Sequence, residues 1–452
     1  MMIGTLLIGV SGYVFLAQIG HGRFDAMTTA ALSSTYLLAN VLGPGVFVAS
    51  EQETSRVVSD ALARGSVAAR FGRRLALVST TLGGLDLAVL ILIAPVLLTR
   101  VLGGQIGLVV ALMLSIVGSA SVFYVRGMTG GQRRFARYAT TLLVDGLARI
   151  VGCLALVAMG NTNPTAFALT LCVGPAVAFL CTWPGSGVPS HAASAKASAS
   201  TGTPDTGNQA VPDPGLEAPR VSPPGVSPPC IRVLAKDVGL LLIASVLSMA
   251  LANLAPVIVT GLLPAAPELA AGFAAAVVLT RIPLLLMGPI QALLLPRMTA
   301  AAAAGERTAL RRDVLLGLAV LLGLGVIAAA VTAVAGSWVI RLLFGADRDT
   351  TSTAGLVLLT VSAVLFMAVQ LLQPALIAIR RHRGLVVAWL AGGIAFAACL
   401  ALPLDPVTCG VLAQLAGPSL TLVIELAILG SYLRRAAGER SLRGGTHPAS
   451  RQ

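Results

Sequence analysis

Twelve long apolar runs constrain this chain more than any motif in it. They cover residues 2–19, 27–50, 75–99, 106–125, 139–159, 165–183, 238–262, 269–295, 314–335, 354–379, 385–403 and 406–431. About 20 apolar residues suffice to cross the hydrocarbon core of a bilayer. Inside that core every backbone N–H and C=O must find a partner within the chain, which leaves helices or closed barrels. Barrel strands would show alternating segments of about ten residues, and the runs do not. The reading is an all-α polytopic membrane protein with about 12 transmembrane helices. At 56% apolar and 11% charged residues, the chain departs from soluble domains, which have roughly 45–50% and about 25%. A soluble enzyme and a disordered protein are both excluded.

The formal net charge of +13 suggests nucleic acid until its distribution is read. Lys and Arg sit in short loops between apolar runs, where they orient a membrane protein. Loops after even-numbered runs, with the tail, hold 25 of the 31 basic residues, and loops after odd-numbered runs hold 4. The remaining two, Arg149 and Arg281, lie inside runs. This asymmetry predicts a multi-pass protein of the plasma (cytoplasmic) membrane with both termini cytoplasmic and no nucleic-acid partner. No basic residue precedes the first run. Either the chain starts upstream of Met1, or the later loops set the orientation. The first run lacks the basic n-region of a signal peptide, so it is read as a retained helix.

Residues 184–235 interrupt the pattern. They hold ten of the 25 prolines, with Ser, Ala and Gly filling most of the rest. Such a stretch cannot bury a core and is expected to be disordered. It divides the runs six and six. The expected organisation is an N-terminal six-helix lobe (1–183), a cytoplasmic linker (184–235), a C-terminal six-helix lobe (236–435) and a cytoplasmic tail (436–452). The halves echo each other weakly, with Gly43-Pro44-Gly45 in the second run and Gly288-Pro289 in the eighth. Equal parity in the two halves fits a parallel repeat about an axis along the membrane normal.

Four stretches carry a family resemblance: Gly43-Pro44-Gly45-Val46-Phe47 running into Glu51-Gln52-Glu53 and Arg56; Arg126-Gly127 with Gly130-Gly131-Gln132-Arg133-Arg134-Phe135 and Tyr138; Arg281-Ile282-Pro283; and Gly336-Ser337-Trp338 to Leu343-Phe344-Gly345. In this order, on a six-plus-six layout, the chain resembles the polysaccharide flippases of the multidrug/oligosaccharidyl-lipid/polysaccharide exporter superfamily. The resemblance implies a V-shaped, two-lobe exporter that alternates between inward and outward openings. Its usual cargo is an undecaprenyl-pyrophosphate-linked glycan. The chain differs from the family in its long linker and nearly absent N-terminal tail, and it lacks the two extra helices of lipid II flippases.

Five ionisable residues lie within runs or near their inner ends: Asp86, Asp145, Arg149, Arg281 and Glu425. A charge at the bilayer centre costs about 2.5–3.5 kcal/mol on insertion scales, so each should face a lumen or a partner. Arg281 falls near the midplane. It is either a lumenal cation holding a pyrophosphate or acidic sugar, or half of a structural pair with a carboxylate. Asp145 and Arg149, spaced i, i+4, read as an internal ion pair, with Arg149 a second candidate for neutralising the cargo. Asp86, on a face with Ser79 and Gly83, is either helix-packing surface or a site for a coupling ion, H+ or Na+. Glu425 continues a stripe of Gln414, Pro418 and Thr421 and is expected in a solvated vestibule. Gln370 and Gln373 could bond sugar hydroxyls or a neighbouring helix. Glu51, Glu53 and Arg56 are a solvated helix end or a gate between the lobes.

No phosphate-binding loop is present, and no Ser-His or Cys-His constellation. His21, His191, His382 and His447 all lie outside the runs, and the six Cys form no C-x-x-C pair. The chain is therefore read as no enzyme, with no metal, cofactor or disulfide framework. The leading reading is a flippase for a lipid-linked oligosaccharide serving cell-surface polysaccharide synthesis. Its partners are the lipid-linked glycan, membrane lipid and polysaccharide assembly proteins. The alternatives are a cation-coupled small-molecule or drug exporter of the same superfamily, and a non-transporting scaffold that docks through its linker.

Overall fold

A computed structural model describes residues 2–21, 23–63, 69–183, 231–287, 297–298, 301, 306–345, 350–379 and 381–444. Among these residues the chain forms α-helices and no strand. The N-terminal lobe contains α1 (Met2–Gly20), α2 (Ala26–Leu42), α3 (Pro44–Ala63), α4 (Ala69–Arg100), α5 (Ile106–Gly131), α6 (Phe135–Ala158) and α7 (Pro164–Thr182). The C-terminal lobe contains α8 (Ile231–Leu262), α9 (Pro267–Leu279), a 3-10 turn (Ile282–Leu286), α10 (Arg307–Phe344), α11 (Thr353–Ala378), α12 (His382–Leu400) and α13 (Pro406–Gly444). Twelve stretches among them are long and apolar enough to cross a membrane, with α2 and α3 together forming one.

Two spans are broken where the sequence reading drew single runs. α2 ends at Gly43, and Pro44 opens α3, where its missing N–H costs nothing. α9 ends at Leu279, with Thr280 as its cap, before Pro283 can remove an interior N–H and clash with the preceding turn. Arg281 stands at this second break. The expected linker 184–235 lies outside the described residues up to 230, and its last five residues already belong to α8. The expected tail begins inside α13. The N-terminus of α13 is closed by Asp405, whose carboxylate accepts from the Thr408 backbone N–H at 2.8 Å. That bond holds the Asp405 carboxyl below the usual range.

Within the first lobe α5 packs on α3, α4 and α7, and α6 packs on α1 and α7. Within the second, α13 packs on α11 and α12, α10 on α11, and α8 on α12 and α13. The lobes meet where α2 and α3 lie against α8, α2 against α9, and α1 against α10. α4 and α10 expose Leu85, Leu92, Val96, Leu322, Val326 and Val334 to the surroundings. Apolar side chains on the outside and polar ones inside are what a lipid solvent selects.

Candidate functional site: a cavity between the lobes

A cavity of about 890 Å³ lies between the lobes. The first lobe contributes Tyr13 of α1, Tyr36 and Asn40 of α2, and Gln52 of α3. The second contributes Ser248 and Asn253 of α8, Arg281 at the α9 break, and Phe366, Gln370 and Gln373 of α11. The lining continues to Gln52, Ile377 and Leu385, beside the basic loops. The opposite end is closed. There Ser34 Oγ on α2 donates to Thr260 Oγ1 on α8 at 3.2 Å, and the backbones of Gly20 and Phe344 touch.

Arg281 is the one permanently charged side chain among the described lining residues. Its Nη1 donates to Asn253 Oδ1 and its Nη2 to Gln414 Oε1, both at 3.4 Å. Among the described residues no carboxylate lies within ion-pairing distance of it. Gln414 is itself held in place, since its backbone carbonyl accepts from Ser362 Oγ. Two neutral amides orient the guanidinium without cancelling its charge, and two phenols share the chamber. Tyr36 stacks on Phe15 at 5.9 Å. Its ring lies directly over Gly12, where a Cβ would fall 2.7 Å from Tyr36 Cζ. Gln370 Nε2 donates to Ser248 Oγ at 3.4 Å, so α11 and α8 present joined polar groups to the cavity.

Arg149 is absent from the described lining. It belongs to a charge network inside the first lobe. Asp145, 2% exposed, accepts from Arg149 Nε at its Oδ1 and from Arg126 Nη2 at its Oδ2, each at 2.8 Å. Arg126 Nε also donates to Thr141 Oγ1 at 3.2 Å, and its guanidinium lies 5.2 Å from the centre of the Phe123 ring. Gly174 of α7 provides the space, because a Cβ there would strike Asp145 Oδ1 and fall 2.6 Å from Arg149 Cγ. The sequence reading placed Arg126 in a loop. α5 runs six residues further than the apolar run, and Arg126 lies buried inside it.

The residues read as a gate bond within the first lobe. Tyr138 Oη donates to Glu51 Oε1 at 2.7 Å, tying α6 to α3. Glu53 and Arg56 pair along α3, with bonds of 2.9 and 2.6 Å. Ser79 Oγ donates to the Ala120 carbonyl at 2.9 Å, so the stripe shared with Asp86 packs α4 on α5. Asp86 is buried, with no partner for Oδ2 among the described residues. Glu425 is not in a solvated vestibule. It is 0% exposed, with neither carboxylate oxygen partnered among the described residues. Depth along the helix suggested water; α12 covers that face, as shown by Thr421 Oγ1 bonding the Ala388 carbonyl one turn away. Among the described residues no group of three or more His, Cys, Asp or Glu side chains could hold a metal.

No protein-family model matches the chain. Two uncharacterized proteins of Mycobacterium tuberculosis, Rv3630 and Rv1510, are each 31% identical to it over 155 residues, 34% of this chain. The chain spans about a third of the length of these curated relatives, 35% and 34%. Solved structures align over nearly all of it. An inward-facing multidrug resistance MATE family transporter of the MOP superfamily gives a TM-score of 0.62 at 13% identity, over 96% of this chain and 99% of that one. A point mutant of the Vibrio cholerae MATE transporter VcmN gives 0.61 at 16% identity, over 95% of each chain. The lipid II flippase MurJ in an inward closed conformation gives 0.60 at 12% identity, over 95% of this chain and 87% of that one. This multi-pass membrane protein has the fold that MATE transporters share with the lipid II flippase.

Proposed function

We propose that this protein is a flippase that carries a lipid-linked oligosaccharide of the undecaprenyl-pyrophosphate type across the plasma membrane by alternating access. The product would serve cell-surface polysaccharide synthesis. One observation carries the reading: Arg281 faces the cavity, oriented by two amides and unpaired with any described carboxylate. A guanidinium binds phosphate oxygens bidentately and stays charged, so a pyrophosphate is the partner this position lacks. It stands at a break in a spanning helix, where transporters of several folds place their substrate sites. The amides and hydroxyls of Gln370, Gln373, Asn40 and Ser248 suit sugar hydroxyls.

The cavity volume supports a division of the cargo. About 890 Å³ falls in the range of small-molecule sites, roughly 300–1,000 Å³. That holds a headgroup and its first sugars. The polyprenyl chain stays in lipid and passes through the gap between the lobes. With the basic loops cytoplasmic, the open end faces the side where such lipids are made. Rocking of the lobes about the closed seam would present Arg281 to the other side. Asp86 and Glu425, buried acids with unpartnered oxygens, are where a coupling H+ or Na+ would act. Polysaccharide assembly proteins would receive the product.

A cation-coupled small-molecule or drug exporter is the second reading, favoured by the aromatic lining of Tyr13, Tyr36 and Phe366. Aromatic faces can hold an organic cation, but the described lining residues include no carboxylate to neutralise it. Proteoliposomes loaded with an undecaprenyl-pyrophosphate-linked oligosaccharide separate the readings. Transport of the lipid by the wild type, reduced in Arg281→Lys and reduced further in Arg281→Ala, is expected. Wild-type transport rates in Arg281→Ala would refute the flippase assignment.

A further inference from the structure

Two helices of the second lobe reach the guanidinium of Arg281, and each offers it the same chemical group. Asn253 of α8 accepts from Nη1 through Oδ1, and Gln414 of α13 accepts from Nη2 through Oε1. Both groups are carboxamides. Each differs from an acid of the same size and shape by an amide nitrogen in place of one oxygen. The Asn253 amide is oriented by its own helix. Its Nδ2 donates to the Met249 carbonyl at 2.9 Å, one turn back, which leaves Oδ1 to the arginine. Gln414 is 4% exposed, and its Nε2 has no partner among the described residues.

Acids at these two positions would hold the arginine more strongly. A carboxylate would accept from the same guanidinium nitrogen and add the attraction of an opposite charge. At position 414 it would replace the unpartnered Nε2 by an acceptor, so no hydrogen bond among the described residues would be lost. No acid elsewhere on the two helices does the job. Asp237 on α8 and Glu425 on α13 lie 16 and 11 residues from the amides, at least about 16 Å along each axis. The amides hold the guanidinium and leave its charge uncancelled.

We infer that Asn253 and Gln414 are specificity-determining residues, which set the sign of the charge that the cavity admits. With two neutral acceptors the site carries the single positive charge of Arg281 and selects an anion. With an acid at either position the guanidinium is paired inside the protein and the site is neutral. An anionic headgroup then has to displace a built-in carboxylate before it can bind. The rings of Tyr13, Tyr36 and Phe366 line the same cavity. Their faces attract organic cations, and only the free charge of Arg281 opposes that attraction. One amide-to-acid exchange should therefore move the preference of the cavity from anions toward cations. The inference rests on the reading of Arg281 as the cargo contact, whether or not the cargo carries a lipid.

The test uses the full chain in nanodiscs, with empty nanodiscs as the blank, and two probes of opposite charge. Isothermal titration measures the binding of inorganic pyrophosphate and of tetraphenylphosphonium to the wild type, Asn253→Asp and Gln414→Glu. The wild type should bind pyrophosphate. Each variant should bind it at least about tenfold more weakly, the scale of a lost hydrogen bond to a charged group. Each should also bind tetraphenylphosphonium more tightly than the wild type does, a gain that a damaged fold cannot produce. Unchanged pyrophosphate affinity in both variants, no pyrophosphate binding by the wild type, or a loss of pyrophosphate without any gain of the cation would each overturn the inference. If the pattern holds and the wild type carries no lipid-linked oligosaccharide, the flippase reading fails and the charge selection stands.

Discussion

The two lobes hold their buried basic residues differently, although each also buries an acid with an unpartnered oxygen among the described residues, Asp86 in the first and Glu425 in the second. In the first, Asp145 sits between Arg126 and Arg149 at 2.8 Å from each, and Glu51 is bonded by Tyr138. In the second, the partners of Arg281 among the described residues are amide oxygens, Oδ1 of Asn253 and Oε1 of Gln414. A charge whose partners are built in holds helices together. A charge left with half-strength partners beside a cavity is held for something that arrives. The first lobe pairs its buried arginines internally, and the second supplies the cavity's cation.

The largest effect should come from breaking the paired side. Asp145→Ala leaves a buried Arg126 unpaired, and the fold should lose about 3–5 kcal/mol. Thermal unfolding in detergent would show this as a lowered Tm with poor yield. If Asp145→Ala melts with the wild type, the network is not structural and the contrast between the lobes fails. Arg281→Ala should do the reverse. Stability should stay near that of the wild type, while transport falls roughly 10- to 100-fold, the range for losing hydrogen bonds to a charged group, ~1.5–3 kcal/mol. Gly174→Ala sharpens the comparison without touching a charge. Its Cβ would press on Asp145 and Arg149, and overpacking of this kind costs about 1–3 kcal/mol. Its Tm should therefore fall between those of the wild type and Asp145→Ala. Glu425→Gln should move the Tm least, because an unpartnered carboxylate contributes no pairing to lose. A fall as large as that of Asp145→Ala would mean Glu425 has a strong partner.

Much of this contrast was legible in the amino-acid order. Run length against bilayer thickness gives the twelve spans, and the i, i+4 spacing gives the Asp145–Arg149 pair. Arg281 in mid-run was legible as a side chain that must face a lumen or a partner, because an isolated guanidinium in lipid is costly. Arg126 was hidden by its surroundings. Arg133, Arg134 and Arg137 follow closely, and the whole cluster reads as a loop until α6 is seen to bring Asp145 beside it. The break at Arg281 was announced by Pro283, yet hydropathy alone runs through it. Glu425 was misplaced because distance from a helix end measures depth in the bilayer and says nothing about which neighbour covers the face. Tyr13, Tyr36, Asn40 and Asn253 were missed for a simpler reason. They are uncharged polar groups in apolar runs, the same signal that marked Gln370 and Gln373, and only the fold shows that they face one chamber.

The most direct test of the central claim measures stability and binding on the same sample. Purified wild type and Arg281→Ala would be melted with and without undecaprenyl pyrophosphate. A ligand that binds only the native state raises the Tm as its concentration exceeds its Kd. The prediction is equal melting without ligand and a rise on adding the pyrophosphate lipid in the wild type alone. An equal rise in both proteins, or a ligand-free Arg281→Ala that is already destabilised, would show that Arg281 belongs to the scaffold and not to the cargo site.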